Sequence, residues 1–178
     1  MLTDFLRDAL FTTGWFGLMT VVWFGWAQED PPQRWRWRLG VGSSLGILLA
    51  IGFGIATYLH WDSASALEGR YHWFGVLVAA EVVLAGAGCG LLAARERARW
   101  MAWWVAVVVA AHFLPLAWLL DDVSIAVAGV VQLVLLGAVI PRLRRTGHTT
   151  SSVVGAVMGG TLLTYAVISA AFVLPGLL

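Results

Sequence analysis

The stretch Tyr71–Arg99, YHWFGVLVAAEVVLAGAGCGLLAARERAR, decides the fold. From Tyr71 to Ala94 it is apolar apart from His72 near its edge and Glu81 within it. It then breaks abruptly into Arg95, Arg97 and Arg99. A run of this length matches the ~20 residues that carry a helix across a hydrocarbon core of ~30 Å. An arginine cluster directly after such a run marks a loop retained on the cytoplasmic side.

Five further runs repeat the pattern: Ala9–Trp26, Leu39–His60, Trp100–Leu120, Val123–Ile140 and Ser152–Leu174. The sequence therefore predicts an all-α fold, a six-helix transmembrane bundle forming one domain over residues 1–178. Composition agrees: 60% of the residues are hydrophobic and 12% charged, against about a quarter charged in soluble domains. No loop is long enough for a soluble domain. The N-terminus carries Asp4 and Asp8 beside Arg7, with no small-residue cleavage site after the apolar run, so the first run reads as a retained span.

Charge placement predicts the orientation. Arg34, Arg36 and Arg38 lie between spans one and two, Arg95, Arg97 and Arg99 between three and four, and Arg142, Arg144 and Arg145 between five and six. The opposite side holds Asp4, Asp8, Asp62, Glu68, Asp121 and Asp122, with only Arg7 and Arg70. This asymmetry predicts cytoplasmic arginine loops and both termini on the outer side. All 11 basic residues are Arg and there is no Lys or Asn, a bias that reads as a GC-rich bacterial genome and hence a bacterial plasma membrane.

Several chemistries are excluded. The lone Cys89 permits neither an internal disulfide nor a thiolate metal cluster. Gly40-x-Gly42-x-x-x-Gly46 lies within a hydrophobic run with no strand before it, so it is no dinucleotide fingerprint. Phosphate-loop and zinc-protease motifs are absent, the arginines are topogenic, and nothing calls for a cofactor or for nucleic acid. Tyr58, His60, Asp62, His72, Asp121 and Asp122 cluster at the outer mouth without metal-ligand spacing and read as solvated loop groups; His112 lies too deep to pair with His60 or His72 across a haem. Most of the 11 Trp fall at span ends, as an interfacial belt requires, while Trp15, Trp23, Trp103 and Trp104 lie deeper. Small residues at helical spacing, Gly42 with Gly46, Ala85 with Gly88 and Gly155 with Gly159, mark close helix packing within the bundle or in a dimer.

The candidate site lies within the spans. Counted from the outer ends, Thr20, Glu81, His112, Gln132 and Tyr165 all fall roughly 12–16 Å deep at ~1.5 Å per residue. Thr161, Tyr165 and Ser169 share one face of the sixth span. Pro115, three residues after His112, frees the carbonyl of Ala111 and predicts a kink in span four. An ionisable group at bilayer depth is costly and points to function, which singles out Glu81. The bland alternative is a Glu81 that only sets helix register by hydrogen bonding to Gln132 or Tyr165. The segment Ala111–Trp118, AHFLPLAW, with Glu81 on an earlier span, resembles a pattern in small uncharacterised multi-pass membrane proteins of actinobacteria. The resemblance implies no activity, but favours reading Glu81 and His112 as parts of one site.

Three functions fit these residues. The first is a proton-coupled transporter that binds a cationic or lipophilic small molecule through Glu81, His112, Gln132, Tyr165, Thr20 and Thr161. Six spans are few for alternating access, so this reading implies a homodimer, and three spans on each side of the Arg95–Arg99 loop allow an inverted repeat. The second is an intramembrane enzyme with Glu81 as general acid, His112 or Tyr165 as its partner, and a lipid-soluble, isoprenoid-like substrate. The third is a structural or assembly subunit. The carrier reading leads, because a midplane carboxylate reached from an acidic mouth suits proton exchange.

Overall fold

The computed structural model of the chain describes residues 3–145 and 150–177. Its long elements are all helical: α1 (Leu6–Ala27), α2 (Arg36–Leu59), α3 (Tyr71–Ala94), α4 (Met101–Leu119), α5 (Val123–Arg145) and α6 (Ser151–Val173). Each is long and apolar enough to cross a membrane, so the six apolar runs become six spans of a multi-pass membrane protein.

The helices outrun the apolar segments at the arginine-rich ends. α2 starts at Arg36, entered from a single 3-10 turn at Gln33–Trp35. α5 passes through Pro141 and ends at Arg145, with Arg142, Arg144 and Arg145 in its last turn. Long arginine side chains reach water from there, and their charge complements the helix dipole. α4 runs unbroken through Pro115 as one helix, Met101–Leu119.

α1 is the hub, packed along α2 on one side and α6 on the other. Apolar attraction does not hold helices together in lipid, so close backbone approach has to. A Cβ on Gly46 of α2 would stand 2.6 Å from the Gly17 carbonyl oxygen of α1, and one on Gly155 of α6 would stand 2.5 Å from the Trp23 carbonyl oxygen. The Phe24 ring of α1 occupies the room left by Gly42 of α2 and Gly159 of α6. The small-residue pairs on α2 and α6 thus serve packing inside one chain. Thr13 of α1 and Ser169 of α6 add a buried hydroxyl contact of 2.5 Å.

α4 is a second, looser hub, carrying α5 on one side and α3 on the other. α3 is the outlier: α4 is its only substantial helix neighbour, and none of its residues is buried.

The bundle ends are tied by polar groups. At the N-terminal end, Asp8 is buried and accepts hydrogen bonds from Ser65 Oγ and Ala66 N, both at 2.7 Å. Arg7 donates to the Trp61 carbonyl at 2.6 Å, and Arg70 pairs with Asp121 at 3.0 Å. At the other end, Arg99 donates to the Leu143 carbonyl and Thr150 to the Arg99 carbonyl, each at 2.7 Å.

The packing at α1 makes a direct prediction. Gly155→Ala drives a Cβ into the α1 backbone and should cost about 1–3 kcal/mol by overpacking. Gly52→Ala, where a Cβ meets nothing within 4 Å, should be neutral or mildly stabilising. Unfolding of purified protein in mixed detergent and SDS measures both.

Candidate functional site

The site is built on the seam between α3 and α4. The half-buried residues of α3 are Phe74, Leu77, Val78, Glu81, Ala85, Gly88, Cys89 and Leu92, a stripe at helical spacing that faces α4. The rest of the helix is exposed. Glu81 therefore faces α4, and the residue it meets there is His112. Glu81 Oε2 stands 2.9 Å from His112 Nδ1. The ring N–H and the carboxyl group are not aligned as a hydrogen bond, so the pair is a close contact rather than a directional one. The His112 side chain is 8% exposed and that of Glu81 23%, which leaves the carboxylate approachable from the open side of α3.

Two further contacts hold the seam. Trp104 Nε1 donates to the Leu84 carbonyl at 3.0 Å, satisfying the half-buried indole. The same indole fills the space beside Gly88, where a Cβ would collide with it. On the other side of α4, Trp103 Nε1 donates to the Leu136 carbonyl of α5 at 3.2 Å.

The other deep polar residues form separate pairs. Gln132 is fully buried, and its Nε2 donates to Thr161 Oγ1 of α6 at 2.9 Å. Tyr165 Oη and Ser124 Oγ lie 2.6 Å apart, and Tyr165 packs edge-on against Phe16, with ring centres 4.9 Å apart. Thr20 returns its proton to the Phe16 carbonyl of its own helix at 2.8 Å. Five residues at one depth thus become one carboxyl–imidazole pair, two polar pairs and a hydroxyl satisfied within its own helix. Equal depth did not bring them together, because each helix is rotated by its small-residue contacts. Glu81 meets His112 and not the Gln132 or Tyr165 of the register-setting alternative.

The mouth residues also divide. Tyr58, Asp62 and His72 are exposed, and His60 Nδ1 lies 2.9 Å from the Ala56 carbonyl of its own helix. Asp121 takes a left-handed backbone conformation, φ 48°, to turn the chain between α4 and α5. Asp122 is not a solvated loop charge: it is 1% exposed and turned inward. Its Oδ1 accepts from Ser124 N at 3.0 Å and from Ser124 Oγ at 2.5 Å, answering the unpaired donors of the first turn of α5. The sequence signal was available in Asp122-Val123-Ser124, an acidic residue directly before an apolar helical run. Asp8 was missed too, and its loop partner carries a recognisable cue. Ser65-x-x-Glu68 has the spacing of a capping box, and within this turn Ser65 N donates to Glu68 Oε1 at 3.3 Å and Leu67 N to Ser65 Oγ at 3.1 Å.

No group of three or more His, Cys, Asp or Glu able to hold a metal ion occurs among the described residues. Compared with protein-family models, curated proteins and solved structures, the chain matches none of them.

A double-mutant cycle tests whether the pair is energetically real. Glu81→Gln and His112→Gln should each destabilise the protein, since each strands its partner in a poorly solvated place. The double variant should cost less than the sum, with a coupling of about 0.5–3 kcal/mol. Additive costs in the same SDS titration would show that the two side chains are neighbours without interacting.

Proposed function

We propose that this chain is a bacterial plasma-membrane carrier that binds a cationic or lipophilic small molecule at Glu81 and His112 and exchanges it for a proton. The observation that carries this reading is the 2.9 Å contact between a carboxylate and an imidazole at membrane depth, on the seam of a helix with no buried residue. Charge so deep is retained in membrane proteins mainly along substrate and proton pathways. An incoming cation takes the Glu81 oxygens, the pair gives up a proton, and the reverse exchange releases the cargo. The poor alignment of the pair favours such exchange over a fixed hydrogen bond. α3 is the element with least to lose by moving, since α4 is its main helix neighbour and none of its residues is buried.

The packing pattern adds support. α1 and α4 begin the two three-span halves and run in opposite directions across the membrane. α1 sits between α2 and α6, and α4 between α5 and α3, so each lies between its successor and the third helix of the other half. That is a partial echo of an inverted repeat with its third helices exchanged. In this reading the exposed face of α3 meets a second copy in a homodimer, and the arginine-rich loops are cytoplasmic.

Tetraphenylphosphonium, a lipophilic cation, is a suitable first cargo. In proteoliposomes, wild type should accumulate it against an imposed pH gradient, and Glu81→Gln should abolish the pH dependence while remaining folded. Unchanged accumulation in Glu81→Gln would remove the carrier mechanism. A loss of stability alone would leave Glu81 a structural residue of an assembly subunit.

A further inference from the structure

Two arginine clusters meet at one corner of the bundle, and the fold gives them no carboxylate. The turn after α3 carries Arg95 and Arg97, and the last turn of α5 carries Arg142, Arg144 and Arg145. Arg99 brings the two together: its Nη2 donates to the Leu143 carbonyl at 2.7 Å, which pins the entry to α4 against the end of α5. The Arg97 amide donates to the Leu92 carbonyl at 2.8 Å, so the turn that presents Arg95 and Arg97 is held to the end of α3. Arg95, Arg97, Arg142, Arg144 and Arg145 are all exposed, and none makes an ion pair among the described residues. Glu96, the one carboxylate in these two segments, is exposed and pairs with none of them.

The opposite end of the same helices shows what this corner lacks. There Arg70, at the start of α3, pairs with Asp121 of the turn between α4 and α5 at 3.0 Å. A carboxylate thus ties α3 to the α4–α5 hairpin at that end. At the arginine end, cations of the α3–α4 turn lie beside cations of α5, and only an anion can join them. Topology accounts for the side on which these arginines lie, but not for their missing counter-charge. Arg34, Arg36 and Arg38 have Glu29 and Asp30 in their own loop, so the unbalanced charge is concentrated where α3, α4 and α5 meet.

Depth names the anion. Arg95 directly follows Ala94, the last residue of α3, and Arg142 lies just past the apolar run that ends at Ile140, with Trp100 close by at the start of α4. These positions are at the headgroup level, where interfacial Trp also sits. α3 and α5 each pack on α4 and not substantially on each other. Leu91 of α3 and Val134 of α5 stay exposed on the apolar side of the arginines, where acyl chains can rest. We propose that this corner binds an anionic phospholipid, whose phosphate bridges Arg95 and Arg97 to Arg142 and Arg145. Basic pockets between transmembrane helices hold such headgroups by charge. The lipid phosphate takes at this end the part that Asp121 takes at the other, tying the loosely packed α3 to the bundle. The site involves neither Glu81 nor His112 and stands independently of the carrier reading.

Native mass spectrometry of the full-length protein in detergent, titrated with phosphatidylglycerol or with phosphatidylcholine of the same chains, tests this. Wild type should prefer phosphatidylglycerol by more than about fivefold, the worth of one arginine near an anionic surface. The triple variant Arg97→Gln, Arg142→Gln, Arg145→Gln should lose more than about tenfold in affinity for phosphatidylglycerol and keep its weak phosphatidylcholine adducts. A control with Arg34, Arg36 and Arg38 each changed to Gln removes the same charge elsewhere and should bind like wild type. Arg95→Gln with Arg97→Gln empties only one side of the bridge. It should also weaken binding, and it is read in place of the first variant should that one not fold. No preference in wild type, or an equal loss in both triple variants, would reduce the arginines to diffuse topogenic charge and overturn the proposal. Tighter binding of polyglutamate than of phosphatidylglycerol, lost in the first variant, would assign the corner to a soluble acidic partner instead.

Discussion

Everything in this bundle depends on how closely α1 can approach its neighbours. In lipid, helices gain nothing by hiding apolar surface from one another, so dispersion contacts and hydrogen bonds must hold them. Gly17, Gly42, Gly46, Gly155 and Gly159 remove the side chains that would keep α1, α2 and α6 apart, and Phe24 fills the space they leave. Those contacts fix the rotation of each helix. Rotation, in turn, decides which polar residues can meet.

The consequence is a division of labour. The α1–α2–α6 side is tightly packed, with its hydroxyls spent on their own carbonyls or on one another, as Thr13, Thr20 and Ser169 illustrate. The α3–α4 side is open, and there Glu81 and His112 stand 2.9 Å apart with the Glu81 side chain partly accessible. Between the two sides, α5 packs mainly on α4 and α6 mainly on α1, which leaves a groove between them. A rigid core with one loosely held helix carrying an ionisable group is an arrangement suited to coupled movement. In the proposed carrier, ligand exchange at Glu81 would act on the helix whose residues are all at least partly exposed.

Much of this was legible in the sequence, for definite reasons. Span number followed from run length and hydropathy, since a continuous apolar run of about 20 residues satisfies its own backbone groups in hydrocarbon only as a helix. Helix ends were less legible: Pro141 and the arginines after Ile140 look like a stop, yet α5 continues through them to Arg145. Depth could be counted along each span, so Glu81 and His112 were placed at one level before their contact was known. Azimuth could not be counted. The separation of Gln132 and Tyr165 from Glu81 follows from glycine contacts between helices distant in sequence. Asp8 and Asp122 were hidden for a different reason: an acidic residue near a span end looks the same whether it faces water or turns inward to cap a backbone.

The central claim is that Glu81 and His112 trade a proton for a cation, and proton stoichiometry reports on it most directly. Calorimetric titration of purified protein with tetraphenylphosphonium, repeated in buffers of different ionisation enthalpy, measures the protons released per cation bound. The account predicts net proton release in wild type and none in Glu81→Gln. Binding to wild type with no buffer dependence, and so no proton exchanged, would contradict it.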